Sequence, residues 1–191
     1  MKFFTSDQHL NHKRIIELSD RPFENMAEMN HILLTKMFSI PKGSDLYILG
    51  DLSWDRAGLE LFLHMKPYGI NTHLILGNHD NRMGNLSGLI GQKGFSSISQ
   101  MKNIKEGDVH ITLQHFPLVC WDRSYLPKSF HLYGHIHSNT PRVTPTGKMI
   151  NVNCEFWDYD PISFDRVVEE MKSLPPNWEI KEIQKRNRTV K

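Results

Sequence analysis

Five apolar runs in this chain each end in residues able to bind a metal, and that repetition constrains the fold more than any other feature. His73-Leu74-Ile75-Leu76 reads as a buried strand and runs straight into Gly77-Asn78-His79-Asp80. Phe3-Phe4-Thr5-Ser6 leads to Asp7-Gln8-His9, and Leu46-Tyr47-Ile48-Leu49 leads to Gly50-Asp51. The run from Val109 to Gln114 leads to His115, and His131-Leu132-Tyr133 leads to Gly134-His135-Ile136-His137. Apolar residues before and polar ones after place each cluster at a strand's carboxyl end, where open α/β sheets build their sites. The reading is a metal site assembled from strand-end loops on one rim of a sheet.

The intervening sequence predicts the elements that carry those ends. A strand over residues 2–6 is followed by a helix from His12 to Ser19, stopped before Arg21-Pro22 because proline disfavours helix at the preceding residue. A second helix runs from Met26 to Ile40, with Met26, Met29, Ile32, Leu33, Met37 and Ile40 at helical spacing, and Pro41-Lys42-Gly43 closes it. Strand Asp45 to Leu49 follows. Asp55 then caps a helix from Arg56 to Met65 that buries Leu59, Phe62 and Leu63. Strand Thr72 to Leu76 completes a strand–helix alternation typical of a parallel sheet. The second half changes character. Phe95 to Ile104 and Asp108 to Gln114 read as adjacent strands joined by Lys105-Glu106-Gly107. Phe130 to Tyr133 is another strand. Arg142-Val143-Thr144, the turn Pro145-Thr146-Gly147 and Met149 to Val152 read as a hairpin. Ser163 caps a last helix to Leu174, with Phe164, Val167, Val168 and Met171 inward, and Pro175-Pro176 stops it. The expected organisation is one domain over residues 1–175 and a basic tail over 176–191.

A chain of 191 residues is long enough to bury most of its apolar surface in one core. A formal net charge of +2 does not by itself argue for nucleic acid or membrane as partner. Cys120 and Cys154 stand far apart and outside any metal-type spacing, so reduced structural thiols are expected. The N-terminal apolar stretch is too short for a signal peptide and no segment reaches membrane-spanning length. A soluble cytoplasmic protein is the expectation.

The strand-end ligands sort into carboxylates (Asp7, Asp51), an amide (Asn78) and imidazoles (His9, His115, His135, His137), with no thiolate. That mixture suits divalent first-row metals such as manganese, iron or zinc, and argues against a structural zinc knuckle. Seven ligands exceed one tetrahedral site and suffice for two metals if one carboxylate bridges. Two such ions, roughly 3.5–4 Å apart, clamp the attacking and leaving oxygens of a phosphoryl displacement and acidify a bridging water. A proton donor for the leaving alkoxide would help, and His79 stands beside Asn78 for it. Asp80 is the expected orienting partner that keeps His79 protonated.

Asp7-x-His9, Gly50-Asp51, Gly77-Asn78-His79-Asp80, His115 and Gly134-His135-x-His137, in this order, resemble the five blocks of the calcineurin-like metallophosphoesterases. Arg21-Pro22-Phe23, Met29-Asn30, Asn151-Val152 and the stretch from Trp157 to Pro161 resemble phrases of a compact bacterial and phage subgroup. The resemblance spans roughly residues 1–170. It implies an α/β fold of four layers, α/β/β/α, with the metals at the loop rim. It implies one metal on Asp7, His9, Asp51 and His137 and another on Asp51, Asn78, His115 and His135, with Asp51 bridging. Manganese is favoured, with iron, zinc, nickel or cobalt as alternatives. His79 would contact the phosphate and protonate the leaving group. The implied activity is hydrolysis of a phosphodiester, or a phosphomonoester, by direct attack of metal-bridging hydroxide, on a substrate that includes nucleotides or nucleic acid. The rival reading is a catalytically silent scaffold that keeps the fold; a complete ligand set and the presence of His79 weigh against it. Asn153-Cys154-Glu155 departs from the subgroup's pattern of a small residue and an Asp, and is expected to alter rim shape rather than metal binding.

Other residues carry two readings each. Arg21 and Arg14 are either phosphate clamps or salt-bridge partners, as is Arg82. His12 either touches substrate or starts a helix. Trp54 and Phe116 either stack on a base or aryl group or belong to the core, as rim aromatics usually do. His31 and His64 are expected on helix surfaces, and His73, His110 and His131 in strands. The basic tail either contacts nucleic acid or is a solvated terminus.

Overall fold

A computed structural model describes residues 1–84, 86–91, 94–140 and 147–177. The expected strand over 142–144 with its turn at 145–146, and the basic tail from 178 onward, lie outside the described residues. Two sheets pack face to face. The first has strands β1 (Lys2–Thr5), β2 (Asp45–Leu49), β3 (Asn71–Ile75), β4 (Ser97–Ser99) and the short β9 (Ile162–Ser163), in the order β4-β3-β2-β1-β9. β1 to β4 are parallel and β9 is antiparallel to β1. The second sheet has β5 (Met101–Glu106), β6 (Val109–Gln114), β7 (Ser129–Tyr133) and β8 (Met149–Asn151), in that order, with β6, β7 and β8 parallel.

Alternation along the strands divides the core. Phe3, Leu46, Ile48 and Leu74 face outward from the first sheet onto Met29, Leu33, Leu34 and Met37 of α2 (Met26–Met37) and Leu59 and Phe62 of α3 (Arg56–Met65). Phe4, Tyr47, Leu49 and Ile75 face the other way and meet Val109, Ile111, Leu113, Phe130 and Leu132 of the second sheet. Successive strand residues point to opposite faces, so one apolar run supplies both layers. Val167 and Met171 of α4 (Phe164–Lys172) join that inter-sheet core from the β1, β8 and β9 side. The far face of the second sheet carries Trp121 on Tyr133 and Met149. The result is the α/β sandwich of two parallel-rich sheets with flanking helices that the sequence led one to expect.

The helix starts follow capping chemistry. Asn25, Asp55 and Ser163 each accept a hydrogen bond from a backbone N–H three residues on. The helix expected over residues 12–19 contracts to α1 (Ile15–Leu18), because residues 9–12 are held in a turn beside β2. The single strand expected from Phe95 to Ile104 is two: β4 ends the first sheet and β5 opens the second, with the break at Gln100. β4 is uniformly half-buried and β5 alternates between exposed and half-buried, so neither half carries a signal that the chain changes sheets between them. No helix among the described residues is long and apolar enough to cross a membrane.

Candidate metal centre

Every predicted ligand lies at the carboxyl end of β1, β2, β3, β6 or β7, but on the adjoining rims of two sheets rather than on one. The strand ladders continue a few residues past the strands: Asp7 N–H donates to the Gly50 carbonyl (3.0 Å), His9 N–H to Asp51 (2.9 Å) and Gly134 N–H to His115 (2.9 Å). The chain turns sharply at these points. Asp7 (φ 60°), His9 (52°), Asp51 (52°) and His135 (67°) all occupy the left-handed region. That conformation costs a non-glycine residue about 1–3 kcal/mol and persists at sites whose surroundings enforce it.

Asp51 is the centre of the arrangement. Its Oδ2 lies 3.7 Å from Nε2 of His9, 3.7 Å from Nε2 of His79 and 3.6 Å from Nε2 of His115. These separations are too long for hydrogen bonds. They approach the roughly 3–3.5 Å between neighbouring ligands that each stand about 2.1 Å from one cation. His115 points its Nε2 to the same spot because its Nδ1 is engaged by the Leu49 carbonyl at 2.8 Å. Asn78 Oδ1 is 3.1 Å from that Nε2. On the other side Asp7 accepts the His135 N–H on both carboxylate oxygens (3.1 and 3.0 Å), tying the two rims together, and Asp7 Oδ1 is 3.9 Å from His137 Nε2. Ligand atoms gather in three groups, Asp7-His9-His137, His9-Asp51-His79 and Asp51-His115-His135, each within 4.8 Å.

The buried groups fit a divalent cation. His9 is 1% exposed and neither ring nitrogen has a protein hydrogen-bond partner. Burial, then the Arg21, His137, His79 and His12 charges, drive its pKa well below the usual histidine value, leaving a neutral ring able to bind metal. His135 is lowered too, first by burial and then by His115. Burial raises the Asp51 carboxyl; His115 pulls it down and Asp7 pushes it up. Neutral imidazoles around oxygen donors, without thiolate, suit first-row divalent ions.

The glycines at three of the strand ends are spacers for this cluster. A Cβ on Gly77 would sit 2.2 Å from Asp51 Oδ1 and 2.6 Å from Asp51 N, and one on Gly134 would sit 2.4 Å from both Asp7 Oδ2 and Ser6 Oγ. Gly50 adds a left-handed turn (φ 88°) to a similar clash with His115.

The other predicted site residues are placed differently. Asp80 does not orient His79. Its Oδ2 accepts from Asp51 N–H (2.7 Å) and Gly77 N–H (2.9 Å), and its Oδ1 from Leu52 N–H (3.1 Å). Burial pushes this carboxyl up to about 6, against the pull of the Gly77 and Asp51 N–H groups. It braces the backbone of the β2 and β3 loops. His79 instead faces Asp51, with its backbone N–H donating to Asp51 Oδ1 at 2.9 Å. Burial lowers its pKa, which Asp51 partly opposes, and its Nδ1 has no partner. Arg21 is buried, and its guanidinium donates to Glu155 Oε1 (3.0 and 2.9 Å) and to the Gln8 (2.8 Å) and Asp7 (2.7 Å) carbonyls. Those contacts use Nε, Nη1 and Nη2, so the clamp reading yields to the salt-bridge reading. Arg14 and Arg82 are exposed. His12 is buried beside the cluster, its ring 5.4 Å from that of His9.

Glu155, expected only to alter rim shape, holds a candidate ligand. Its Oε1 is 2.7 Å from His137 Nδ1 and its Oε2 accepts from Ser138 N–H at 2.9 Å. Burial alone would raise this carboxyl; the His137 hydrogen bond and the Arg21 charge outweigh it and hold it at about 2. Its influence therefore reaches a candidate metal ligand and is not confined to rim shape. The signal available was chemical: a carboxylate standing where the subgroup pattern has one.

No family model matches the chain. The uncharacterized protein MJ1445 of Methanocaldococcus jannaschii is 29% identical over 176 residues, spanning 87% of this chain and 89% of its own. The crystal structure of AQ665, a protein of unknown function from Aquifex aeolicus, superposes with a TM-score of 0.71 at 26% identity, covering 90% of this chain and 98% of its own. Nuclease MPE of Pseudomonas putida gives a TM-score of 0.41 at 18% identity over 71% of this chain and 60% of its own, a likeness too low to carry an argument.

Proposed function

We propose that this protein is a metal-dependent phosphoester hydrolase of the calcineurin-like type, holding two divalent cations, manganese foremost, with a phosphodiester as the preferred substrate. The observation that carries the reading is the convergence of the His9 and His115 Nε2 atoms on Asp51 Oδ2 at 3.7 and 3.6 Å, with His9 otherwise unpartnered. Asp7, His9, Asp51 and His137 would hold one ion and Asp51, Asn78, His115 and His135 the other. When bound, the ions would supply charge to neutralise the phosphoryl oxygens and acidify an attacking water.

The chain's own residues set the rest. Buried, left-handed loops hold the carboxylates in place before substrate arrives, so little reorganisation accompanies the reaction. Asp80 fixes the Asp51 and Gly77 backbone, and Arg21 fixes the Asp7 and Gln8 backbone. His79 is partly exposed, its side chain 18% so, and lies against Asp51, while its Nδ1 is buried with no hydrogen-bond partner. It would bind a phosphoryl oxygen and pass a proton to the leaving oxygen.

The test is hydrolysis of bis-p-nitrophenyl phosphate and p-nitrophenyl phosphate by metal-stripped protein with Mn2+ restored, alongside His79→Ala. The expected result is metal-restored cleavage of the diester that falls about 10²–10⁴-fold in His79→Ala. Full activity in that variant would remove His79 from the chemistry, and silence with every metal despite two bound ions would favour the scaffold reading.

A further inference from the structure

The candidate centre is flanked by two large aromatics that the fold leaves exposed. Trp54, just past Asp51, is 41% exposed, and Phe116, just past His115, is 39% exposed. Rim aromatics of this size usually sink into the core, as Trp121 does on the far face of the second sheet at 8% exposure. These two are instead held in place by the site itself. Trp54 stacks on His12 at 3.8 Å between ring centroids and 10° between planes, and lies 4.8 Å from His79. The Trp54 backbone N–H donates to the Leu10 carbonyl at 2.9 Å, and Ser53 before it bridges to Leu10. Phe116 meets His115 at 4.9 Å and His135 at 4.6 Å, both edge-on.

The two rings stand at different depths. Phe116 touches candidate ligand rings directly. Trp54 reaches His9 only through His12 and His79, whose rings lie 5.4 and 5.1 Å from it. An indole set back by one ring layer, on the side of the proposed proton donor, matches a planar group separated from the phosphorus by a spacer. A ribose is such a spacer, whereas an aryl ester places its ring directly beside the phosphate. One face of the indole is already fixed on His12, so stacking a second ring on it requires little ordering.

Building on the phosphoesterase reading, we propose that Trp54 is a stacking platform for a nucleobase, which makes the substrate a nucleoside phosphoester. Stacking of one base on an aromatic side chain strengthens binding by about 5- to 150-fold. The Mn2+-loaded protein should therefore bind AMP about that much more tightly than ribose 5-phosphate. Trp54→Ala should close the gap, Trp54→Phe should keep most of it, and inorganic phosphate should bind all three proteins alike. Isothermal titration measures each affinity without relying on turnover. Equal affinity of the parent protein for AMP and ribose 5-phosphate, with phosphate still bound, would overturn the stacking and leave the phosphoesterase reading standing. A Trp54→Ala loss confined to phenyl phosphate would also overturn it, since the ring would then sit beside the phosphorus. Failure of inorganic phosphate to bind the metal-loaded parent would overturn the phosphoesterase reading and this inference with it.

Discussion

Glu155 Oε1 lies 2.7 Å from His137 Nδ1 while the Arg21 guanidinium holds the same oxygen from the other side at 2.9 Å. The contact fixes His137 with Nε2 turned toward Asp7, and it raises the His137 pKa despite the opposing effect of burial. Carboxylates placed this way orient imidazole ligands and strengthen them as bases. Glu155→Gln should weaken Mn2+ binding by about 10–100-fold. It should also destabilise the metal-free protein by about 3–5 kcal/mol, because Arg21 stays buried without its counter-charge. Titration of Mn2+ and denaturant unfolding check the two effects separately, and unchanged affinity would reduce Glu155 to a structural partner of Arg21.

The Asp51 charge works against folding in the metal-free protein and with it once metal is bound. Burial raises its pKa, so above the pH where an unfolded aspartate ionises its charge opposes folding until a cation offsets it. Asp51→Asn should leave the chelated protein at least as stable as the parent. It should also abolish most of the stabilisation that metal gives the parent, about 2.7 kcal/mol at a hundredfold excess over Kd. Melting curves with chelator and with Mn2+ decide it; an equal metal-induced gain in the variant would place the cation elsewhere.

Gly77 is needed for space and not for backbone freedom. Its added Cβ would meet the Asp51 backbone N at 2.6 Å, which cannot give way, and Asp51 Oδ1 at 2.2 Å, which the His79 backbone N–H holds in place. Gly77→Ala should cost about 1–3 kcal/mol of stability and displace Asp51 enough to impair metal binding. Gly107, whose Cβ would meet nothing within 4 Å, provides the control, although its left-handed φ of 58° adds a modest strain of its own. If Gly77→Ala binds Mn2+ as the parent does, the spacing argument fails.

His131 predicts a pH dependence unconnected with metal. It is fully buried, its Nε2 accepts from Leu118 N–H at 3.1 Å and its Nδ1 donates to the Thr112 carbonyl at 3.1 Å. Burial pushes it down to about 4, against the opposing pull of the Thr112 and Phe116 backbone. Between 4 and its unfolded value of 6.5 the unfolded chain binds the proton and the folded chain does not. Stability is therefore full above the unfolded pKa and is lost as pH falls toward the folded one, by about 3 kcal/mol in all. In chelated protein, His131→Gln should flatten the change in unfolding free energy between about pH 7.5 and 4.5 by that order; superimposable pH profiles would refute it.

The sequence by itself determined which residues stand at the strand ends. Apolar runs that stop at Asp7, Asp51, Asn78, His115 and His135 are local signals, and β2 and α3 fall where the pattern and the Asp55 cap predict them. The tertiary structure decided what each polar group touches. Asp80 turned to three backbone N–H groups instead of His79, and Arg21 found Glu155 across 134 residues of chain. Trp54 and Phe116 stayed at the surface, β4 and β5 went to different sheets, and the rim became two rims. Periodicity reports which face of a strand is apolar, and it does so residue by residue. Hydrogen-bond partners, left-handed turns and exposure depend on how distant segments share space, and only the packed chain fixes that.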